Sequence, residues 1–228
     1  MRLLSLPWGV ACAGIAFNAS AAPMFMGLGD LPGGVFQSRV ADVSVDGSVA
    51  VGYGRVGSGF GEAFRWNQAE EMVGLGTLTG ANSSESRGVS TDGSVIVGVS
   101  SSTAWRWTEA GGMIDLGLPE SGASNTVSAD GSVIVGRSAS EAFRWTSSAG
   151  VTLLGDLGGG SSRANAVSAD GSVAAGMAVS AFGEEAFRWT AAGGMVGLGD
   201  LAGGIFSSEA FGVSAGGSVV VGKSNSAY

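Results

Sequence analysis

Apolar residues recur along this chain in short bursts, cut by glycine and serine. Runs such as Ser94-Val95-Ile96-Val97-Gly98 are rich in Val, Ile and small residues, which suit a pleated sheet better than a helix. Each run follows an Asp-Gly pair, as at Asp46-Gly47 and Asp92-Gly93. That pair predicts a two-residue hairpin turn of type I′, with both residues at positive φ. In Ala63-Phe64-Arg65-Trp66 the strand period of two puts Phe64 and Trp66 on one face and Ala63 and Arg65 on the other. Val73 and Leu75 share a face in the same way. No window carries a 3.6-residue apolar period, so almost no helix is expected.

These bursts belong to an internal repeat. One phrase occurs five times: Val43 to Val49, Val89 to Val95, Val127 to Val133, Val167 to Val173 and Val213 to Val219, with Gly216 replacing Asp in the last copy. Successive copies lie 46, 38, 40 and 46 residues apart. A second phrase follows each of the first four: Ala63 to Trp66, Ala104 to Trp107, Ala142 to Trp145 and Ala186 to Trp189. A third closes each unit at Met72 to Gly76, Met113 to Gly117, Val151 to Gly155 and Met195 to Gly199, with a further copy at Phe25 to Gly29.

Each unit therefore offers about four short antiparallel strands, the size of one propeller blade. The expected fold is all-β. About five such units, near 28–74, 75–115, 116–153, 154–197 and 198–228, form a propeller-like array in a single domain over 23–228. An open β-solenoid is the alternative, although its coils are usually shorter, about 20–30 residues. The fifth unit stops at Ala227-Tyr228, where the second phrase should begin. Two explanations stand: the chain is a fragment of a longer repeat protein, or a ring closes with a defective blade and the orphan strand at Met24 to Leu28. An unclosed end would expose a strand edge to pairing.

Residues 1–22 read as a secretory signal peptide. Arg2 gives a positive start, Leu3 to Phe17 is mostly apolar, and Ala19-Ser20-Ala21 is a small-x-small cleavage signal. Cys12 lies within it, so a processed chain has no cysteine and no disulfide. No later apolar run approaches spanning length. A secreted or cell-surface protein is expected. Of 228 residues 42 are Gly, against a usual share of about 7%. There is no His, which removes Ser–His and Cys–His chemistry and imidazole metal ligation. With 11 basic against 19 acidic residues the net charge is −8, which gives no field for nucleic acid.

Three phrases resemble the HAF repeat family of bacterial extracellular repeat proteins: Ala-Phe-Arg-Trp-Thr, Gly-Met-x-x-Leu-Gly-Asp-Leu, and Val-Ser-Ala-Asp-Gly-Ser-Val-x-x-Gly. The resemblance covers about residues 24–228. The name-giving His is replaced by Glu62, Glu141 and Glu185, and by Thr103 in the second unit. The resemblance implies an exported β-repeat protein without a defined enzymatic activity, in some relatives joined to an outer-membrane barrel or a sorting segment.

Several repeated residues are candidates for chemistry. Asp46, Asp92, Asp130 and Asp170 could be calcium ligands, but each loop carries a single carboxylate, and Asp before Gly is explained by the turn. Arg65, Arg106, Arg144 and Arg188 could form a ring of donors for an anionic glycan. The plainer reading is a bond to an acid or a carbonyl of a neighbouring strand. Trp66, Trp107, Trp145 and Trp189, with Trp105, either stack on sugars or fill the core between blades. Glu62, Glu109, Glu141, Glu184 and Glu185 could include a glycosidase pair. They sit in repeated phrases, however, whereas catalytic sites break repeat symmetry. The asymmetric loops, Arg55 to Gly61, Ala178 to Glu184 and Pro119 to Gly122, are poor in catalytic residue types. The expected function is a non-catalytic interaction module that displays loops to a protein or surface polysaccharide, with no cofactor and no metal. A carbohydrate-binding propeller is the alternative, and a lyase or glycosidase the third.

Overall fold

The computed structural model describes residues 26–33, 36–57 and 60–226; the predicted leader, Cys12 and Ala227-Tyr228 lie outside the described residues. The described chain is all-β, with no helix. The first sheet holds β1 (Ser38–Val43), β2 (Val49–Val56), β3 (Phe60–Asn67) and β4 (Glu71–Gly76) in chain order, all antiparallel. The second repeats this with β5 (Ser84–Val89), β6 (Val95–Ser100), β7 (Thr103–Thr108) and β8 (Gly112–Asp115). The third has β9 (Gly122–Val127), β10 (Val133–Ser138), β11 (Glu141–Thr146) and β12 (Gly150–Leu153). The fourth has β13 (Gly158–Val167), β14 (Val173–Ser180), β15 (Gly183–Thr190) and β16 (Gly194–Gly197). A last hairpin, β17 (Gly203–Val213) and β18 (Val220–Ser226), joins the fourth sheet through one parallel bridge, Glu184 to Ser207.

Each sheet packs face-on against the next, and among the described residues the first sheet packs against the second alone. Among the described residues the stack is a series of blade-like units that does not close into a ring, a form shared by an open propeller and a solenoid-like stack. Burial explains the stacking. The second strand of each unit is apolar on both faces, because both faces are covered. Val95 and Val97 point to the third sheet, while Ile96 points back to the first. The third strand behaves likewise. Trp105 packs back against Val49, Val51 and Ala63, while Ala104 receives Phe143 from the following unit. Phe143, Phe187 and Phe64 are likewise fully buried. Among the described residues no sheet precedes the first unit; its Phe64 is covered instead by Leu28 of the orphan third phrase and by Leu31 just after it.

The Asp-Gly turns differ from the expected type. In the first four copies only the glycine lies at positive φ, near 70° (Gly47 72°, Gly93 73°, Gly131 73°, Gly171 69°), and the aspartates do not. The loop spans four residues, because Ser44 N–H donates to Val49 O (2.8 Å) while Ser44 O accepts from Gly47 N–H (2.9 Å). Val49 N–H then turns to the Ser44 hydroxyl (3.0 Å). The serine before the aspartate thus supplies the acceptor that a two-residue hairpin would take from the backbone.

A second glycine is required by close approach. Gly52, Gly98, Gly136, Gly176 and Gly222 each face a bulge in the first strand. A Cβ at Gly98 would lie 2.0 Å from Glu85 O and 2.7 Å from the Trp105 ring. No side chain fits there, which is why the Val-x-Val run of these units, Val173-Ala174-Ala175 in the fourth, ends in glycine each time.

Candidate functional site

The four turn aspartates occupy matching hydrogen-bond cages. Asp130 Oδ1 accepts from the Ser128 hydroxyl (2.7 Å), the Ser132 N–H (3.0 Å) and the Ser132 hydroxyl (2.8 Å). Asp46, Asp92 and Asp170 make the same three contacts. These bonds favour the charged form. The Ser48 N–H and the Ser44 hydroxyl hold Asp46 down to about 2, and the Ser94 N–H and Ser90 hydroxyl do so for Asp92. Asp170 is lowered to about 2 by Ser168 first and then Ser172, and Asp130 is lowered by Ser128 and Ser132. Among the described residues no cluster of three or more acidic or cysteine side chains is placed to hold a metal ion.

The residue between Ser and Asp in each turn ties the units together. Val45 N–H donates to Thr91 O (3.2 Å), Thr91 to Ala129 (3.0 Å), Ala129 to Ala169 (3.1 Å), and Ala169 to Ala215 (3.0 Å). This ladder runs through the whole stack, one rung per interface. The turn glycine of each later unit also sits on a valine of the one before, so that a Cβ at Gly131 would meet Val95 Cγ2 at 2.4 Å. Neither contact is visible in the spacing of the sequence.

The repeated arginines reach the following turn, but not equally. Arg144 donates from Nε and Nη2 to Gly171 O (3.4 Å each), and Arg188 Nε donates to Gly217 O (3.3 Å). Arg65 and Arg106 break this pattern. The Nε of each is buried without a hydrogen-bond partner among the described residues. Arg65 turns instead to Glu70 (2.7 Å) and lies 5.9 Å from the Trp107 ring centroid. Asn67 and then Arg65 hold Glu70 below the usual carboxylate range. These side chains line an open groove of about 690 Å³ along the first and second units that reaches Asp130 of the third, with Arg65, Glu70, Asp92, Arg106, Trp107 and Glu109 along its walls. Trp66, Trp107, Trp145 and Trp189 are half-buried, each packed against the interface behind it.

The glutamates at the name-giving position are not gathered into one site. Glu62, Glu141 and Glu185 each accept the N–H of Gly76, Gly155 and Gly199 (2.9 Å) within their own unit. In the second unit, where Thr103 stands in this place, Asp115 takes the corresponding Gly117 N–H (2.8 Å). The last hairpin is fastened to the fourth sheet by Glu209, which pairs with Arg163 (2.6 Å) and accepts from Asn165 (3.0 Å).

No family model and no curated protein matches the chain. Among solved structures it is similar to TolB from Acinetobacter baumannii, at 17% identity and a TM-score of 0.47, over 65% of this chain and 39% of that one. Among the described residues no helix is long and apolar enough to cross a membrane.

Proposed function

We propose that the chain is an exported, non-catalytic interaction module, secreted or held at the cell surface, of the HAF repeat kind. One observation carries this reading. The repeated aspartates, glutamates and glycines are spent on turns and interfaces, while the repeat symmetry fails at Arg65 and Arg106, whose Nε groups face no acceptor. Those Nε atoms are enclosed by protein, so the donors open to a ligand oxygen are the Nη groups, and those of Arg106 have no partner among the described residues. The groove takes a single carboxylate at Arg106, from a surface polymer or a protein loop, because Glu70, Asp92, Glu109 and Asp130 also line it and repel further negative charge. The half-buried Trp107 beside it favours a sugar acid, because an indole face packs against a pyranose ring.

Titration calorimetry against polygalacturonate, alginate and a neutral glucan tests this. Binding of an acidic polymer that weakens in salt and is lost in Arg106→Ala supports the reading. Binding of none of them, or binding indifferent to Arg106, overturns the groove as the site. Release of shortened or unsaturated oligosaccharides during the titration would overturn the non-catalytic part.

A further inference from the structure

From the hollow between the second and fourth units, over the first strand of the third, we infer a second binding site, one that takes a phosphate group, free or borne as a monoester. The hollow has a volume of about 380 Å³. Arg87 of β5, Arg137 of β10 and Arg163 of β13 line it together with Asn125, Ser102 and Ser121, and no carboxylate is among the lining residues. Three guanidinium groups thus border one space in a chain whose net charge is −8. Every lining residue belongs to the second, third or fourth unit.

The hollow is a local break in the repeat. The cross-strand pairs Arg39–Tyr53, Glu85–Val99, Ala123–Arg137 and Arg163–Met177 hold the same place in the four units. The third unit alone puts a cation on its second strand and a methyl group on its first. Ala123 is short where Glu85 and Arg163 on either side are long, and this opens the space that Arg137 borders. Strand pairing does not call for arginine where valine and methionine serve equally.

Charge and geometry select the guest. Arg87 Nη1 donates to Asn125 Oδ1 (3.3 Å), and its Nη2 lies 3.5 Å from Glu85. Asn125 is itself held, since its Nδ2 donates to Ala164 O (2.8 Å). Arg163 pairs with Glu209 (2.6 Å), which Lys223 shares (3.2 Å). Arg137 is exposed and makes no ion pair among the described residues. Four cations are thus set against two carboxylates, and a doubly charged anion neutralises the surplus. A phosphate monoester carries about −1.5 to −2 at pH 7 and offers three strong acceptor oxygens. A planar carboxylate is saturated by one or two arginine forks, whereas three oxygens set tetrahedrally can meet forks from three units. Ser102 and Ser121 add exposed hydroxyls at the rim. Gly122 N–H donates to Ser102 O (2.7 Å), which ties the third unit to the β6–β7 turn beside the hollow. The Asp92 turn of the Arg65–Arg106 groove precedes β6 and the hollow's Ser102 follows it, so the two sites lie at opposite ends of that strand. The phosphate site does not rest on the reading of the groove.

Titration calorimetry on the full chain at fixed ionic strength tests this, with inorganic phosphate, glucose 6-phosphate, glucuronate and glucose as probes. One phosphate group is expected to bind per chain, and Arg137→Gln to weaken it by about tenfold or more, the loss of a charge-assisted hydrogen bond. Arg137→Lys, which keeps the charge but not the fork, should recover part of that loss. Arg137 is exposed, so both variants should keep the parent melting curve. Inorganic phosphate bound as tightly as the sugar ester supports the site with free phosphate as its source, and tighter binding of the ester supports it with a phosphorylated sugar. Binding of neither overturns the proposal. So does phosphate binding that Arg137→Gln leaves intact, and so does glucuronate held as tightly through Arg137, since a carboxylate would then suffice.

Discussion

Phe143→Ala probes the stacking of units most directly. The ring is fully buried between the second and third sheets, against Val95, Val97, Ala104, Leu116 and Ile134. Its neighbours are anchored in two separate sheets, each with its own ladder of backbone bonds, so they cannot collapse far into the space left behind. Truncating a buried Phe in such a setting costs about 3–5 kcal/mol. A typical domain has only about 5–15 kcal/mol in total. Units that touch only their neighbours add their stabilities link by link, so one weak link in the middle divides the array. Guanidinium unfolding followed by circular dichroism and tryptophan fluorescence should show a loss of that size, with the single transition broadening or splitting in two. Phe64→Ala, at the capped first unit, should instead fray one end and leave the remainder in a single transition. Val45→Ala, whose side chain is 80% exposed, is the control and should stay within about 0.5 kcal/mol. A Phe143→Ala loss below about 1 kcal/mol would refute the account of sheets clamping a shared ring.

Gly98→Ala should cost about 1–3 kcal/mol or more in the same assay, since its Cβ would lie 2.0 Å from Glu85 O and force the bulged strands apart. Asp130→Ala removes the shared acceptor of three bonds and should lower stability by about 1 kcal/mol, while EDTA leaves the melting temperature of the parent chain unchanged; a large EDTA effect would restore calcium to the turns. The turn carboxylates titrate below their ordinary value of 3.8, three of them near 2, so their contribution is full above about pH 4 and is lost as the pH falls towards 2. The melting temperature should therefore be flat with respect to these groups from pH 5 to neutrality and drop below pH 4, and replacing all four aspartates by asparagine should flatten that drop.

The units were legible because the same phrases recur in the same order, and the strand periods followed from Val-Ile-Val and Phe-Arg-Trp. The turn was read correctly as a turn, yet its type was not. Asp-Gly alone favours a two-residue loop, and the deciding group is the hydroxyl of Ser44 two positions earlier, which captures Val49 N–H. The serines flanking each aspartate carried that signal. The glycine after each Val-x-Val run was visible as a residue, but its reason, a bulge on the partner strand, depends on pairing across some twelve or more positions. The uneven roles of the four arginines were hidden for a similar cause. Identical phrases predict identical contacts, and only coordinates separate Arg144, bonded to Gly171 O, from Arg106, bonded to nothing through Nε.

The ladder from Val45 through Thr91, Ala129 and Ala169 to Ala215 uses one donor and one acceptor at every step, always in the same sense. A gene encoding such a chain can gain or lose a repeat by slippage during replication, and the new neighbours meet through the old contact. Overall length is thereby uncoupled from the chemistry of the joints, so a population can vary how far the module reaches without reinventing how it holds together.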